Sequence, residues 1–323
     1  MSIDTTLVGT RYFAGVGVRV VKRLDGVDSE NYFVEAAGRK YVLKWYAAAD
    51  PKSLGEELAA MQWLRGRGVP VPAVVPDRAG GLLAEVDGAC AVLLEFIEGD
   101  APGDEFATGL QIAAFLAKFH RESSAYKGEF CAARAAEVRL AAFAAACGAN
   151  FAYMAVDGMA EFIAAYGEEV ALYKTALEQG GGAQGIIHHD LHPGNFLVAA
   201  GEIAAILDFS EAHRAPLIFD LAVLLGYWAF DADRGRLDLG KCCQLLTAYA
   251  ATRPIPPAEM VLLPHAVLIY FATDATGYIL PRLRDRGAFA ISQCNMYRWF
   301  CALRQERGWI DELSGVFRYG CGG

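Results

Sequence analysis

The stretch that decides the fold is IIHHDLHPGNFLV, residues 186–198, followed after a short turn by ILDFS, residues 206–210. In each part a short apolar run leads into an aspartate, Asp190 in the first and Asp208 in the second. Asn195 follows Asp190 by five positions. Because short apolar runs bounded by turn residues favour buried strands, the pattern predicts two carboxylates and one amide at the ends of strands.

These three side chains have the chemistry that phosphoryl transfer from ATP requires. One carboxylate receives the proton of the attacking hydroxyl, and an amide and a second carboxylate hold Mg²⁺ against the phosphates. We therefore predict that Asp190 is catalytic, that Asn195 and Asp208 are metal ligands, and that ATP and Mg²⁺ are the cofactors. Protein kinases carry the same order of residues. Each residue by itself could be an ordinary turn residue, but the three agree in spacing.

A lysine in the first hundred residues fits the same chemistry. Alternation along the predicted strand 41–46 places Val42 and Lys44 on one face, so Val42 would pack on adenine while Lys44 reaches the phosphates. Glu57 lies on the apolar stripe of a helix predicted at 53–67, where an unpaired charge is costly. We predict that Glu57 pairs with Lys44. Glu56 is the competing partner, and a solvated lysine at a sheet edge is the structural alternative.

Two further segments are predicted to contact the nucleotide. The polar turn at 24–31 joins the predicted strands 16–24 and 31–36 and offers Ser29 to the phosphates. Residues 93–99 leave the last strand of a hairpin predicted at 82–97, and there the Glu95 carbonyl and the Ile97 amide would hydrogen-bond to adenine.

After residue 98 the chain changes from strand-forming to helix-forming segments. Residues 98–103 combine glycine, proline and acids, as linkers do. Helical spacing recurs at 108–122, 131–147, 159–178, 220–229, 242–252, 260–275 and 288–305. We predict an α+β, bilobal protein-kinase-like fold. Residues 1–98 form a nucleotide-binding lobe with a small antiparallel sheet and one main helix, and 99–323 form a mainly helical catalytic and substrate-binding lobe, with the nucleotide in the cleft.

Three histidines in the same stretch support an alternative interpretation. His188, His189 and His192 could bind zinc in a hydrolase, but Asn195 and Asp208 would then be unexplained. We predict instead that His188 supports the loop and that His189 shapes the acceptor site. A nucleotide-binding module without catalytic activity is a further alternative, which the presence of every catalytic group disfavours.

Composition disfavours several other classes of protein. The formal net charge of -9 argues against a nucleic-acid partner, because nucleic-acid readers carry a basic stripe. No apolar run reaches the roughly 20 residues of a membrane helix, and the N-terminus lacks the pattern of a signal peptide. The eight cysteines form no Cys-x-x-Cys pair, so a zinc or thioredoxin motif has no support. Because they are scattered through apolar, helix-like segments, we predict reduced, buried thiols. We expect a cytoplasmic protein that has no membrane partner and acts on a small molecule.

The block from His189 to Asn195, with Asp208-Phe209 and Asp220-Leu221-Ala222, resembles the aminoglycoside phosphotransferase and choline kinase-like family. The resemblance implies ATP, Mg²⁺ and a helical pocket for a small, amine-bearing hydroxyl substrate of the aminoglycoside, choline or amino alcohol, homoserine or hydroxylysine class. Asp220 would brace the catalytic loop, or else cap its own helix. Only 11 residues separate Asp208 from Asp220, too few for the activation segment of a protein kinase.

The N-terminal part, with Asn31-Tyr32 and GVPVP at 68–72, is similar to the homoserine kinase-like branch. That branch usually has Phe-Pro-Asp-Asn where this chain has HPGN at 192–195, and Asn-Asp-Trp where it has GYW at 226–228. The second change removes a carboxylate that could bind an amino acid's ammonium. Since aromatic side chains can hold a cationic head group, we predict acceptor contacts, with core packing as the alternative, for Tyr227, Trp228, Tyr270 and Asp274.

Overall fold

The chain divides into two compact units, seen in a computed structural model that describes residues 5–24, 26, 29–86, 88–128, 134–286 and 289–319. The first unit comprises Met1–Pro102, Tyr126–Cys131 and Pro193–Ser210, and the second comprises Gly103–Ala125, Ala132–His192 and Glu211–Gly323. The chain therefore passes between the units several times, which differs from the single boundary after residue 98 that we predicted. As a result Asn195 and Asp208 belong to the same unit as Lys44, whereas Asp190 belongs to the second.

An antiparallel sheet forms the centre of the first unit, in the order β1-β2-β3-β6-β4, with β5 also paired to β6. Its strands are β1 (Arg19–Leu24), β2 (Glu30–Ala36), β3 (Arg39–Tyr46), β4 (Val74–Val75), β5 (Ala84–Val86) and β6 (Ala89–Glu95). The predicted strands and hairpin correspond to β1, β2, β3, β5 and β6. The hairpin residue Asp87, and Asp25, Val27 and Asp28 of the predicted phosphate turn, lie outside the described residues.

Helix α1 (Thr5–Phe13) packs on this sheet and had no counterpart among the predicted elements. Its threonines, valine and aromatic residues have higher strand than helix propensity, so the local sequence favours the wrong state. The tertiary contact overrides that preference. Tyr12 is buried with Leu43 and Leu93 in one apolar cluster, and its hydroxyl donates to the Ala91 carbonyl at 3.0 Å.

Helix α2 (Pro51–Gly66) carries the buried acid of the first unit. Asp50 caps the start of the helix, because its carboxylate accepts the Ser53 N–H at 3.0 Å. Pro51 is suited to the first turn. The helix ends before Gly68, whose φ of +81° favours glycine. Glu57 is 5% exposed among the apolar side chains of the inner face.

A second hairpin, β8 (Phe196–Ala199) and β9 (Glu202–Ile206), completes the first unit. Phe196 pairs with Ile206, and both are fully buried. Just beyond this pair the Leu207 N–H donates to the Asn195 carbonyl at 2.7 Å. The pairing therefore holds Asn195 and Asp208 at the same end of the hairpin.

The second unit is mainly helical. Its helices are α3 (Phe106–Ser123), α4 (Ala136–Gly148), α5 (Phe151–Met154), α6 (Met159–Gly180), α7 (Ile218–Trp228), α8 (Leu239–Ala250), α9 (Pro257–Arg286), α10 (Asn295–Gln305) and α11 (Gly308–Tyr319). Two short strand pairs accompany them, β7 (Gln184–Ile187) with β10 (His213–Pro216), and β11 (Phe230–Asp231) with β12 (Arg236–Leu237). Helix α11 was not predicted. The predicted starts at 131 and 288 lie outside the described residues.

Helix α9 is longer than the segment 260–275 predicted for it, because it continues through Pro264 and Pro281. By length and composition alone, Pro257–Asp285 is long and apolar enough to cross a membrane, contrary to the expectation that no apolar run reaches that length. In the structure 72% of an 18-residue apolar stretch of this helix is buried inside the protein, against neighbours that include α7 and α6. Its apolar character therefore serves the core.

One cysteine departs from expectation. Cys243 is disulfide-bonded, so the prediction that all thiols are reduced is wrong for this residue. Spacing along the chain does not reveal which cysteines meet in space. Cys90, Cys147, Cys242 and Cys294 are buried and free.

Candidate active site

A cavity of about 370 Å³ lies within the first unit. Sheet residues and the β8–β9 hairpin supply an apolar wall that includes Val42, Val92, Leu94 and Leu197. Polar side chains converge in the same cavity, namely Lys44, Glu57, Asn195 and Asp208. An apolar slot with a charged end suits a nucleotide, since the base is flat and apolar and the phosphates are anionic.

Lys44 is the cation of this cavity. Its Nζ lies 3.5 Å from Asp208 Oδ1, and its side chain is 12% exposed. Burial disfavours the charged form, but Tyr46, Asp208 and Glu57 more than offset burial and raise the pKa of Lys44. Lys44 therefore remains an ammonium at neutral pH. The predicted partner Glu57 contributes to that field, and Asp208 forms an ion pair that we did not predict.

Asp208 adopts a backbone conformation that is uncommon for its residue type. Its φ is +52°, in the left-handed region that few non-glycine residues occupy. The Ser210 N–H donates to Asp208 Oδ1 at 3.2 Å and so orients the carboxylate locally. Strained residues of this kind cluster at functional sites.

The remaining residues predicted for the nucleotide divide into two groups. Val42, Glu95 and Ile97 line the cavity. Ser29 is not among the lining residues, but its hydroxyl donates to Asn31 Oδ1 at 2.8 Å, and Asn31 lines the cavity. The Glu95 carboxylate binds the Arg65 guanidinium at 2.8 Å, which leaves only its backbone for a base.

Two lining residues, Asn31 and Tyr46, had no predicted role. Asn31 lies directly across from Lys44 in the β2–β3 register, and Tyr46 is two residues after Lys44 on the same face of β3. Alternation along the predicted strand 41–46 does place Tyr46 on the same face as Val42 and Lys44, but it assigns Tyr46 no role. The register that places Asn31 opposite Lys44 is not readable from one strand.

In the second unit the loop that carries Asp190 follows β7, and Asp220 holds the backbone of this loop. Asp220 is fully buried on α7, and its two carboxylate oxygens accept the N–H groups of His188 at 2.8 Å and His189 at 2.7 Å. Asp220 was predicted either to brace this loop or to cap its own helix, and these two hydrogen bonds are the bracing contact. The hydrogen bond from the His189 N–H therefore holds the backbone of the residue that precedes Asp190.

Asp220 is itself held by a chain of buried polar groups. His120 Nε2 lies 2.9 Å from Asp220 Oδ2, and His120 Nδ1 lies 2.7 Å from the Tyr249 hydroxyl. Arg253 then joins Tyr249 to Glu259. Burial lowers the pKa of His120, so the ring is neutral, with Nε2–H donating to the carboxylate. Burial alone would raise the pKa of Asp220, but hydrogen bonds from His120 and the loop lower it.

The three histidines of the loop point to different surroundings. His188 is fully buried, the His189 ring packs against His213 at 5.2 Å, and His192 Nε2 lies 3.5 Å from Asp190 Oδ2. The part of the chain that the structure describes contains no group of three His, Cys, Asp or Glu side chains that could hold a metal ion. The zinc interpretation therefore has no ligand set there.

The residues predicted to contact the acceptor differ in their burial and in their contacts. Trp228 is buried, and its indole N–H donates to the Leu191 carbonyl at 3.3 Å, so it supports the loop that carries Asp190. Tyr227 is 44% exposed. Tyr270 is buried and hydrogen-bonded to Asp274. Burial first, and then the charge of Asp190, raise the pKa of Asp274 to about 7, which places Asp274 within the field of Asp190.

The fold and these polar groups define a class, the kinases that transfer phosphate from ATP to the hydroxyl of a small molecule. A family model described as the phosphotransferase enzyme family matches residues 20–255. Homoserine kinase of Gluconacetobacter diazotrophicus is 30% identical over 263 residues, which cover 81% of this chain and 79% of that protein. The chain belongs to this phosphotransferase family.

Solved structures show the same fold at low sequence identity. A microcompartment-associated aminopropanol kinase superposes with a TM-score of 0.69 at 18% identity, covering 96% of this chain and 97% of that one. An amicoumacin kinase in complex with AMP-PNP and Ca²⁺ has a TM-score of 0.68 at 15% identity, covering 95% and 94%. The predicted kinase-like fold, the family and ATP-dependent phosphotransfer to the hydroxyl of a small molecule are confirmed.

Proposed function

We propose that this kinase phosphorylates a small alcohol that carries an ammonium group, with Mg²⁺ as its metal and Asp190 as the group that receives the hydroxyl proton. The observation that carries the proposal is the hydrogen-bonded pair of the partly buried Asp274 and the buried Tyr270 in the field of Asp190. The cytoplasm, which supplies ATP and Mg²⁺, is the proposed compartment.

The metal and phosphate roles fall to residues of the first unit. Asn195 offers a neutral oxygen and Asp208 an anionic one, and Mg²⁺ prefers one or two such ligands together with phosphate oxygens and water. Lys44 supplies a compact positive charge for the phosphates. When bound, the metal would neutralise charge that develops on the transferred group.

Charge near Asp190 supports a cationic acceptor. Asp274 and Glu211 are carboxylates in the same part of the second unit, and Arg139 is the cation there, ion-paired with Glu211. The raised pKa of Asp274 reflects unfavourable ionisation of a partly buried carboxyl near another acid. An ammonium group would relieve that cost, and the exposed ring of Tyr227 would add a cation–π contact.

Homoserine is a second candidate, favoured by the name of the relative that is 30% identical. The chain differs from the homoserine kinase-like branch at Gly226-Tyr227. A Cβ at Gly226 would lie 2.4 Å from Tyr270 Cε1, so glycine makes room for the Tyr270 ring. We propose that Asp274, held by Tyr270, replaces the carboxylate lost at 227.

The test is phosphate transfer to matched acceptors that differ only in the amine. The pairs are homoserine with 4-hydroxybutanoate and aminopropanol with propanol, each with Mg·ATP. We expect kcat/KM at least about 10-fold higher for the amine of a pair, since a hydrogen bond to a charged group contributes about 1.5–3 kcal/mol. Equal use of both members of each pair would refute the ammonium requirement.

The Asp190→Ala variant supplies the matching control for the chemistry. We expect it to lose transfer to every acceptor while ATP binding, measured by calorimetry, stays within about twofold. Transfer at the wild-type rate would show that Asp190 is not the group that receives the proton.

A further inference from the structure

Four polar side chains form a hydrogen-bonded series that extends from Asp220 through the second unit. We call them the polar series, and they come from α3, α8, the segment after α8 and α9, in the order His120, Tyr249, Arg253 and Glu259. His120, Tyr249 and Glu259 are buried, and the Arg253 side chain is 14% exposed. Since buried polar networks rigidify a structure when their members are hydrogen-bonded, the series joins three helices in one arrangement.

The far end of the polar series contacts the strand that leads to Asp190. Glu259 Oε1 accepts the Ala183 N–H at 3.1 Å, and Ala183 directly precedes β7 (Gln184–Ile187). At the near end, Asp220 accepts the two N–H groups that directly follow β7, at 2.8 and 2.7 Å. Asp220 and the polar series therefore hold β7 at both of its ends, and this restrains the backbone that continues into Asp190.

The groups at the two ends of the path from Arg253 to Asp220 fix the direction of its hydrogen bonds. A guanidinium can only donate, and the Asp220 carboxylate, whose pKa is lowered, is ionised and can only accept. Arg253 therefore donates to the Tyr249 oxygen at 3.2 Å, and the neutral His120 ring donates Nε2–H to Asp220. His120 Nδ1 is then an acceptor, which receives the Tyr249 O–H at 2.7 Å. Tyr249 thus stabilises the tautomer of His120 that Asp220 needs.

We propose that Tyr249 and Arg253 are positioning residues for phosphoryl transfer. They act through His120 and Asp220 on the backbone that carries Asp190, so the proposal rests on the proposed role of Asp190. Neither residue is among those that line the nucleotide cavity, and we therefore expect an effect on turnover without an effect on ATP binding. Because misplacing a reacting group by about 1 Å can reduce a rate about 100-fold, a small relaxation of this backbone is enough to lower kcat.

The Tyr249→Phe variant of the full chain removes one hydroxyl and keeps the ring. Steady-state assays use Mg·ATP and whichever of homoserine and aminopropanol has the higher kcat/KM. We expect kcat to fall about 3- to 10-fold, the value of one hydrogen bond, while the KM for ATP and for the acceptor stays within about twofold. A wild-type kcat, or a loss that appears in KM alone, would overturn the proposal.

Tyr12→Phe is the matched control. It also removes a buried hydroxyl that donates one hydrogen bond, in this case to the Ala91 carbonyl of the first unit. We expect the two variants to lose a similar free energy of unfolding in urea, whereas kcat should stay at the wild-type value in Tyr12→Phe. Equal losses of kcat in the two variants would show that Tyr249 contributes to stability alone.

The backbone amides of His188 and His189 test the link without any acceptor. In Tyr249→Phe we expect their hydrogen exchange to be at least about threefold faster than in the wild type, relative to amides of α6 in the same protein. The comparison with α6 removes the effect of a general loss of stability, so an equal change at both places would contradict the link. If neither acceptor is phosphorylated, the proposed function fails, and the exchange result still decides whether Tyr249 restrains the loop.

A double-mutant cycle tests whether Tyr249 acts through Asp220. Residues that act in one hydrogen-bond network are not additive, whereas independent sites are. We expect Tyr249→Phe to have little effect on kcat when Asp220→Asn is already present. The same fold-loss in both backgrounds would show that Tyr249 does not act through Asp220.

Arg253→Lys tests the partly exposed member of the series and keeps its positive charge. Lysine lacks the fork of N–H groups with which Arg253 reaches both Tyr249 and Glu259. We expect kcat to fall at least about twofold with both KM values unchanged. A wild-type kcat in this folded variant would exclude Arg253 as a positioning residue.

Discussion

Replacing Asp274 by asparagine isolates the charge that we assign to acceptor recognition. Asparagine keeps the shape and can still accept the Tyr270 hydrogen bond, but it cannot ionise. Burial and the neighbouring charge of Asp190 raise the pKa of Asp274 from its usual value of 3.8 to about 7 in the folded protein. The folded state therefore binds this proton more tightly than the unfolded state between those two pH values.

The sign and size of the stability effect follow from that difference. The free energy of unfolding falls as pH rises through the interval in which the folded state binds more protons. The wild-type protein therefore loses the full amount of this stability only above pH 7. The rise in the pKa of Asp274 from 3.8 to about 7 corresponds to roughly 4 kcal/mol at most, because a change of one unit in pKa is about 1.36 kcal/mol. Asp274 is partly exposed, and solvent screening reduces the figure. We expect Asp274→Asn to stabilise the protein by about 1–3 kcal/mol at pH 8 and by little at pH 4.5.

Urea denaturation at the two pH values measures the difference in free energy of unfolding. Asp285→Asn, an exposed position on the same helix, is the matched control and should change stability by less than about 0.5 kcal/mol at either pH. In the same protein the KM for an amine-bearing acceptor should rise at least about tenfold. A loss of stability at pH 8, or a gain that is equal at both pH values, would show that the ionisation of Asp274 is not unfavourable in the fold.

Three further substitutions test the other groups. Asp208→Ala should weaken Mg·ATP binding at least about tenfold and alter the Mg²⁺ dependence of turnover, measured by calorimetry and metal titration. Lys44→Met should raise the KM for ATP and reduce kcat about 10- to 1000-fold, with the acceptor KM unchanged in steady-state assays. Asp220→Asn should lower kcat and unfolding stability, the latter by about 2–4 kcal/mol, because it turns a donor towards the N–H groups of His188 and His189; unchanged values would exclude a bracing role.

Much of the nucleotide site was predictable because its residues follow short-range patterns. The apolar strand, the polar loop and the next strand of 186–210 are contiguous, so the spacing of Asn195 and Asp208 could be read directly. Alternation of period two placed Val42 and Lys44 on one face, and both line the cavity. The stripe of period 3.6 in α2 placed Glu57 inward, and it is buried.

The sequence by itself determined the family, the chemistry and most element positions, because helices and strands impose periodicities that depend only on neighbouring residues. Tertiary structure alone decided which distant groups meet. His120 and Asp220 are 100 positions apart and share a buried hydrogen bond, and Ala183 and Glu259 are 76 positions apart and share another hydrogen bond. Helix α1 forms against its local propensity because the sheet covers it. Burial and pairing depend on the packing of remote segments, and no local pattern encodes them.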